Sequence, residues 1–203
     1  MESTTDHDIL WDDEEMNDLS QLSRILLKTC HDDWEKFTEV LATPSTERIP
    51  EESDYYSWVE ELIDDCDGDL TNGELSHLFI YILECENISE KLDWKGEMGE
   101  GQLAHFVAEK VYSLTGKCNA EQLEALLTEI TSEKALAKVC DINKVHIQII
   151  FDRLQAQLNK YGLILAHIAD GNDCYNVVVV TESDFTKLQH VNAEYLIVKA
   201  CSS

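Results

Sequence analysis

The sequence predicts an α+β domain, a mainly helical body with a small C-terminal antiparallel β-β-α-β sheet. Three observations predict it. Apolar residues recur at helical spacing through most of residues 18–162. After Gly162 the pattern turns to short runs, one of them holding four consecutive valines, Val177 to Val180. Between two of these runs stands Asp170-Gly171-Asn172-Asp173, residue types that favour a tight turn. Helices gathered in one stretch and strands in another mark the α+β class. The 203 residues suit one domain, and 44% apolar content is enough to build a core. Residues 1–17 read as a mobile acidic arm, and residues 18–203 as the folded unit.

The first helix is expected from about Leu19 to Thr29, with Leu19, Leu22, Ile25 and Leu26 on one side. Asp32 and Glu35 have capping-box spacing and would open a second helix through Ala42. That helix would bury Trp34, Phe37, Val40 and Leu41. Pro44 and Pro50 then bracket a loop. A third helix is expected over residues 54–66, with Trp58, Val59, Leu62 and Ile63 as its apolar stripe. Thr71 and Glu74 form a further capping pair. The helix after them places Leu75, Leu78, Phe79, Ile82 and Leu83 on one face.

Asp93 to Gly101 reads as a glycine-bearing connection. A helix over about 101–115 follows, with Leu103, Phe106, Val107, Val111 and Leu114 inward and Gly116 as its stop. Asn119 and Gln122 cap the next, which carries Leu123, Leu126, Leu127 and Ile130. A short turn is expected at 133–139. Asp141 or Asn143 would start the longest helix, ending at Tyr161 before Gly162. Leu163–Ala169 and Tyr175–Thr181 form the hairpin. The valine run suits a strand buried on both faces. A short helix from Glu182 to about Val191, with Ser183 near its start, and a strand from Tyr195 to Ala200 complete the chain.

The charge is large and uneven. Fifteen Lys and Arg stand against 41 Asp and Glu, a net of −26. Residues 1–100 carry −23 of it and residues 101–203 carry −3. Such a balance argues against direct binding to nucleic-acid phosphates or anionic lipid. It fits a basic partner, although an acidic surface also serves plain solubility. Seven cysteines with no CxxC spacing argue against a disulfide framework or a zinc ribbon and fit free thiols in a reducing cytoplasm. The acidic start, with no Lys or Arg before Arg24, lacks the form of a secretory signal. Leu78 to Leu83, the longest strongly apolar run, is too short to span a bilayer.

Motifs that carry chemistry are few. Asp65, Asp67, Asp69 and Glu74 have some of the alternation of a calcium loop, but position 6 from Asp65 is Leu70 and position 12 is Ser76. The simpler reading is an acidic loop whose Thr71 and Glu74 cap a helix. No phosphate-binding, dinucleotide, metalloprotease or nucleophile-elbow signature occurs, and no cofactor or metal site is expected. Cys30 with His31, Cys140 with His146, and His105 beside Phe106 have ordinary structural readings. His167, Asp170, Asp173 and Tyr175 could gather at one end of the sheet, yet turn chemistry already explains the aspartates.

The aromatic-acidic stretch is the remaining signal, and the regional charge imbalance gives it weight. Tyr55 and Trp58 stand among Glu60, Glu61, Asp64, Asp65, Asp67 and Asp69. Carboxylates speed encounter with a basic surface, and an aromatic ring anchors the complex. Burial of Trp58 beneath solvated carboxylates is the plainer alternative. The expectation is therefore a cytoplasmic binding protein for a basic protein partner, either a toxin or a DNA-binding protein. Its most concrete form is an immunity protein against a nuclease-type toxin, with these eight residues as the contact surface. A regulatory adaptor, a nucleic-acid mimic and, last, an unrecognised enzyme at the His167 end of the sheet are the alternatives.

Two segments resemble a bacterial domain family of unknown function. One is Glu74-Leu-Ser-His-Leu-Phe with Leu92-Asp93-Trp94-Lys95. The other is Tyr161-Gly-Leu-Ile-Leu with Gly171-Asn-Asp173-Cys-Tyr175-Asn-Val. The resemblance covers about residues 70–190 and leaves out the acidic N-terminal segment. It implies an α+β bacterial protein and assigns no activity to any residue.

Overall fold

A computed structural model describes residues 13–28, 31–41, 71–93, 101–117, 119–132, 146–191 and 193–202. The α+β class and the antiparallel sheet hold. Helices α1 (Asp13–Leu26), α2 (His31–Leu41) and α3 (Asn72–Cys85) lead into strand β1 (Ser89–Asp93). Helices α4 (Gln102–Thr115), α5 (Ala120–Thr131) and α6 (His146–Leu158) follow, the last running into a 3-10 turn at Asn159–Tyr161. Strands β2 (Leu163–Ala169) and β3 (Cys174–Thr181), helix α7 (Glu182–Leu188) and strand β4 (Ile197–Ala200) close the chain.

The sheet order is β1-β3-β2-β4, antiparallel throughout. It lies between two helical layers instead of at the end of one. Alternate strand residues point to opposite faces. Ala166, Ile168, Val178 and Val180 join Leu19, Leu22, Trp34, Phe37, Phe79 and Leu83 in one core. Leu163, Leu165, Val177 and Val179 join Leu92, Phe106, Val107, Leu127, Phe151 and Leu154 in the other. The valine run expected to be buried on both faces therefore forms the boundary between two cores.

Several local expectations are met. Thr71 and Glu74 make the reciprocal capping box, with the Thr71 amide donating to Glu74 Oε2 at 2.7 Å. Burial and hydrogen bonding oppose each other on the Glu74 carboxyl. The Thr71 hydroxyl bond, the largest influence, leaves it below the usual range. Leu75, Leu78, Phe79, Ile82 and Leu83 are all buried. Asn119 accepts from the Gln122 amide at 3.1 Å and caps α5. Gly116 and Gly162 end their helices with φ of 61° and 68°, in the left-handed region that favours glycine.

Other expectations are corrected. The α1 helix begins at Asp13, not near Leu19, so residues 13–17 belong to the fold and not to an arm. Glu15 is buried there, accepting from Ser76 Oγ at 3.0 Å and from the Glu194 amide at 3.0 Å. Those two donors draw the acidic first turn inward. The α2 helix starts at His31, so Asp32 lies inside it. Strand β1 falls within residues 18–162, where helices and their connections but no strand are expected. Leu114 and Leu126, expected on the inner faces of their helices, are exposed. Helix α7 ends at Leu188 and not near Val191; Ser183 stands near its start as expected, and Thr181 caps it by accepting from the Asp184 amide at 3.1 Å. The expected 54–66 helix, the 133–139 turn, the side chains of Val40 and Leu41, and Asp141 and Asn143 lie outside the described residues.

Candidate functional site

The surface expected to bind a partner, Tyr55, Trp58, Glu60, Glu61, Asp64, Asp65, Asp67 and Asp69, lies outside the described residues. The other sequence candidate, the turn end of the β2–β3 hairpin, is described in full. The register sets His167 opposite Val177 and Ile168 opposite Asn176. His167 and Tyr175 thus share one face of the sheet, and Asn176 takes the other.

On the first face the rings of His167 and Tyr175 meet edge-on at 5.4 Å. Tyr175 in turn meets Phe151 of α6, also at 5.4 Å. His167 Nδ1 is buried with no hydrogen-bond partner. Burial, and then the charge of Lys199 opposite it on β4, hold the imidazole below its usual pKa.

Asp170 organises the turn instead of joining that pair. Its Oδ1 accepts from the Asn172 amide at 3.0 Å. Its Oδ2 accepts from the Asn172 and Asn176 side chains at 3.2 and 3.1 Å. Gly171 between them has a φ of 83°. Asp173 is exposed on the same turn. The four expected residues are therefore divided between an aromatic contact on one face and a hydrogen-bonded turn. Asp170 Oδ2 is already occupied by two donors, which leaves it poorly placed as a base. Nearby Glu84 has a carboxyl raised above its usual range, by burial first and then by Glu90 and Asp170, with Lys91 opposing.

One arrangement escaped the sequence reading. Ser23 Oγ lies 2.8 Å from His31 Nδ1, and His31 Nε2 lies 3.1 Å from Glu35 Oε1. Serine, histidine and a carboxylate in line are the parts of a hydrolytic triad. Ser23 is fully buried and already donates to the Ser20 carbonyl at 2.9 Å, so no substrate reaches it. The row instead clamps α1 to α2, with Arg24 bonding both His31 Nε2 and Glu35 Oε1. Its only sequence signal was His31 at an interhelical connection, since Ser23 and His31 are eight residues apart.

A carboxylate-rich patch spans α4 and α5. His105 Nδ1 lies 3.1 Å from Glu124 and its Nε2 lies 3.6 Å from Glu109. The Glu124 hydrogen bond, opposed by some burial and helped by Glu109, raises the His105 pKa above the ordinary value. Among the described residues, no three His, Cys, Asp or Glu side chains converge to hold a metal ion. No helix among them is long and apolar enough to cross a membrane.

Neither a curated protein nor a solved structure matches the chain. A family does match, over residues 13–197, from the first residue of α1 to the start of β4. That span contains the hairpin, its turn and both helical layers, so the chain belongs to the family described as a domain of unknown function, DUF6630.

Proposed function

We propose that this protein binds and neutralises a basic protein partner in the bacterial cytoplasm. In its most concrete form it is an immunity protein against a nuclease-type toxin. One observation carries the reading: a net charge of −26, with −23 of it in residues 1–100. An enzyme that cuts nucleic acid needs a basic cleft, and a concentrated acidic surface complements one. The contact surface is assigned to Tyr55, Trp58, Glu60, Glu61, Asp64, Asp65, Asp67 and Asp69. Asp170 and Ser23 are engaged in holding the fold.

The test is affinity capture from native lysate at low salt with a salt-gradient release, followed by a nuclease assay. The expected result is one stoichiometric basic protein, released only at high salt, whose nuclease activity falls when this protein is added back. Changing Glu60, Glu61, Asp64 and Asp65 to Lys should slow association about tenfold or more while leaving the fold intact. Diffuse basic proteins leaving at low salt, or unchanged association by the folded variant, would overturn the assignment.

A further inference from the structure

His167, on the α6 side of β2, is a polar group that the fold leaves unanswered. Its buried Nδ1 has no hydrogen-bond partner. Directly opposite it on β4 stands Lys199. Residues so paired share one face of the sheet, and like charges set there repel each other. Tyr175 of β3 meets the ring edge-on at 5.4 Å and brings no carboxylate. The imidazolium is disfavoured by burial first and then by Lys199.

The other charged and titratable groups around β2 are engaged elsewhere. On α6, Asp152 is exposed and accepts from Gln148 at 3.2 Å, while Arg153 bonds the Ile130 carbonyl of α5. Beyond β4, the Cys201 amide donates to the Leu165 carbonyl at 3.0 Å, and burial holds the Cys201 thiol far above its ordinary pKa. Lys160 and Tyr161 stand on the 3-10 turn at the far end of β2. Glu182, Asp184 and Lys187 belong to α7, which packs on the opposite face. Asp170 is taken by Asn172 and Asn176. Among the described residues, Lys199 is the charge that acts on the ring.

Strand β4 is the part of the sheet that can yield. It is registered with β2 over four residues, whereas β2 and β3 are registered over six. Val198 is half-buried and Ile197, Lys199 and Ala200 are exposed. A segment with few buried contacts opens at low free energy, apart from global unfolding.

We propose that His167 and Lys199 make β4 an acid-released strand. A proton on the imidazole sets a second cation against Lys199, and β4 leaves β2 while β2 and β3 stay paired. Release takes Lys199 away from the ring and admits water to it. It also uncovers Cys201, which is 6% exposed while β4 is paired. The sign follows from the lowered pKa of the paired state. Pairing is at full strength above the ordinary value of 6.5 and weakens as pH falls below it. No partner takes part, so the outcome is separate from that of the binding reading.

Amide hydrogen exchange of the full chain from about pH 7.5 to about pH 5, expressed as protection relative to a free peptide, tests it. Protection of the Lys199 and Cys201 amides should fall by up to about tenfold per pH unit below 6.5, because one proton is coupled to release. The β3 amides should keep theirs. Over the same range Cys201 should become open to dithiodipyridine, a disulfide that still reacts in acid, with the labelled residue found by mass spectrometry. In His167→Leu both signals should be flat with pH. In Lys199→Gln, at an exposed position, the ring titration followed by NMR should move up toward 6.5 and the release should shrink. Constant β4 protection in the wild type would overturn the proposal. So would release that persists in His167→Leu, or an unmoved ring titration in Lys199→Gln. Loss of β3 protection in step with β4 would overturn it too, since the whole fold would then be opening.

Discussion

Gln155 of α6 completes the ladder of β2 at Leu165. Its Oε1 accepts the Leu165 amide at 2.7 Å, while its Nε2 donates to the Leu163 carbonyl at 3.0 Å. These groups of β2 face the side on which β4 has already ended. A side chain stands in for the missing length of strand. Gln155 is 8% exposed, so water cannot easily replace it. Gln155→Leu should leave two buried backbone groups unpaired and cost about 2–6 kcal/mol, at about 1–3 kcal/mol for each. Urea unfolding of the variant measures this. A loss under half a kcal/mol would show that the ladder end is not sealed by this residue.

Asp184 ties the end of α1 to α7. Lys28 Nζ lies 2.6 Å from its Oδ2 and Lys187 Nζ lies 3.0 Å from its Oδ1. Burial pushes this carboxyl upward, but hydrogen bonds from Lys28, Thr181 and Lys187 outweigh it and hold the pKa at about 2. A pKa below the unfolded value of 3.8 gives stability that is complete above that value and lost as pH falls toward 2. The lowering corresponds to about 2 kcal/mol. Wild type minus Asp184→Asn stability, measured from pH 7 downward, should shrink through that window. A difference independent of pH would remove the ionised carboxylate from the account.

The two halves of the hairpin end should answer mutation with opposite signs. Asp170→Ala breaks three hydrogen bonds at the turn and should destabilise by about 1–3 kcal/mol. His167→Leu removes a buried Nδ1 that has no partner and keeps an apolar body against Tyr175. That change should be neutral or stabilising by about 0.5–1 kcal/mol at pH 7. Thermal melts of both variants check the pair. A costly His167→Leu would mean that the imidazole has a structural contact of its own.

Ser23→Ala distinguishes a clamp from a nucleophile. His31 Nδ1 would lose its serine partner, at a cost of about 1 kcal/mol. Partner binding should be unchanged within error. His31→Ala should cost more than Ser23→Ala, because it also removes the contact to Glu35 and the Arg24 bond. Equal losses would show that the row is not held through His31.

His105 gives a second pH signature, of opposite sign to Asp184. Its raised pKa means that the stabilisation is complete below the unfolded value of 6.5 and lost as pH rises through the folded value. Titration of the ring by NMR should move toward the ordinary value in Glu124→Gln. An unmoved titration would separate His105 from that carboxylate.

Helix positions were legible because their signals are local. The Thr71–Glu74 box and the Leu75 to Leu83 face follow from spacing alone, and so do the stops at Gly116 and Gly162. The hairpin was legible for the same reason, since valines and turn residues announce it within 20 residues. Strand β1 was not. Ser89-Glu-Lys-Leu-Asp93 has one deeply apolar residue, Leu92, and no β-branched one. Only pairing with β3, more than 80 residues away, makes it a strand.

By itself the sequence determined the α+β class, the charge imbalance and most helix boundaries, because periodicity, capping and formal charge are properties of neighbouring residues. It also determined that Val177–Val180 would be buried on both faces. The tertiary structure decided what those faces meet. It placed the sheet between two cores, drew Glu15 inward to Ser76 and Glu194, and separated His167 from Asp170 across the pleat. It also brought Ser23 to His31. Each of these depends on contacts between residues distant in the chain, where the cost of burying a polar group is settled by whichever partner the fold delivers.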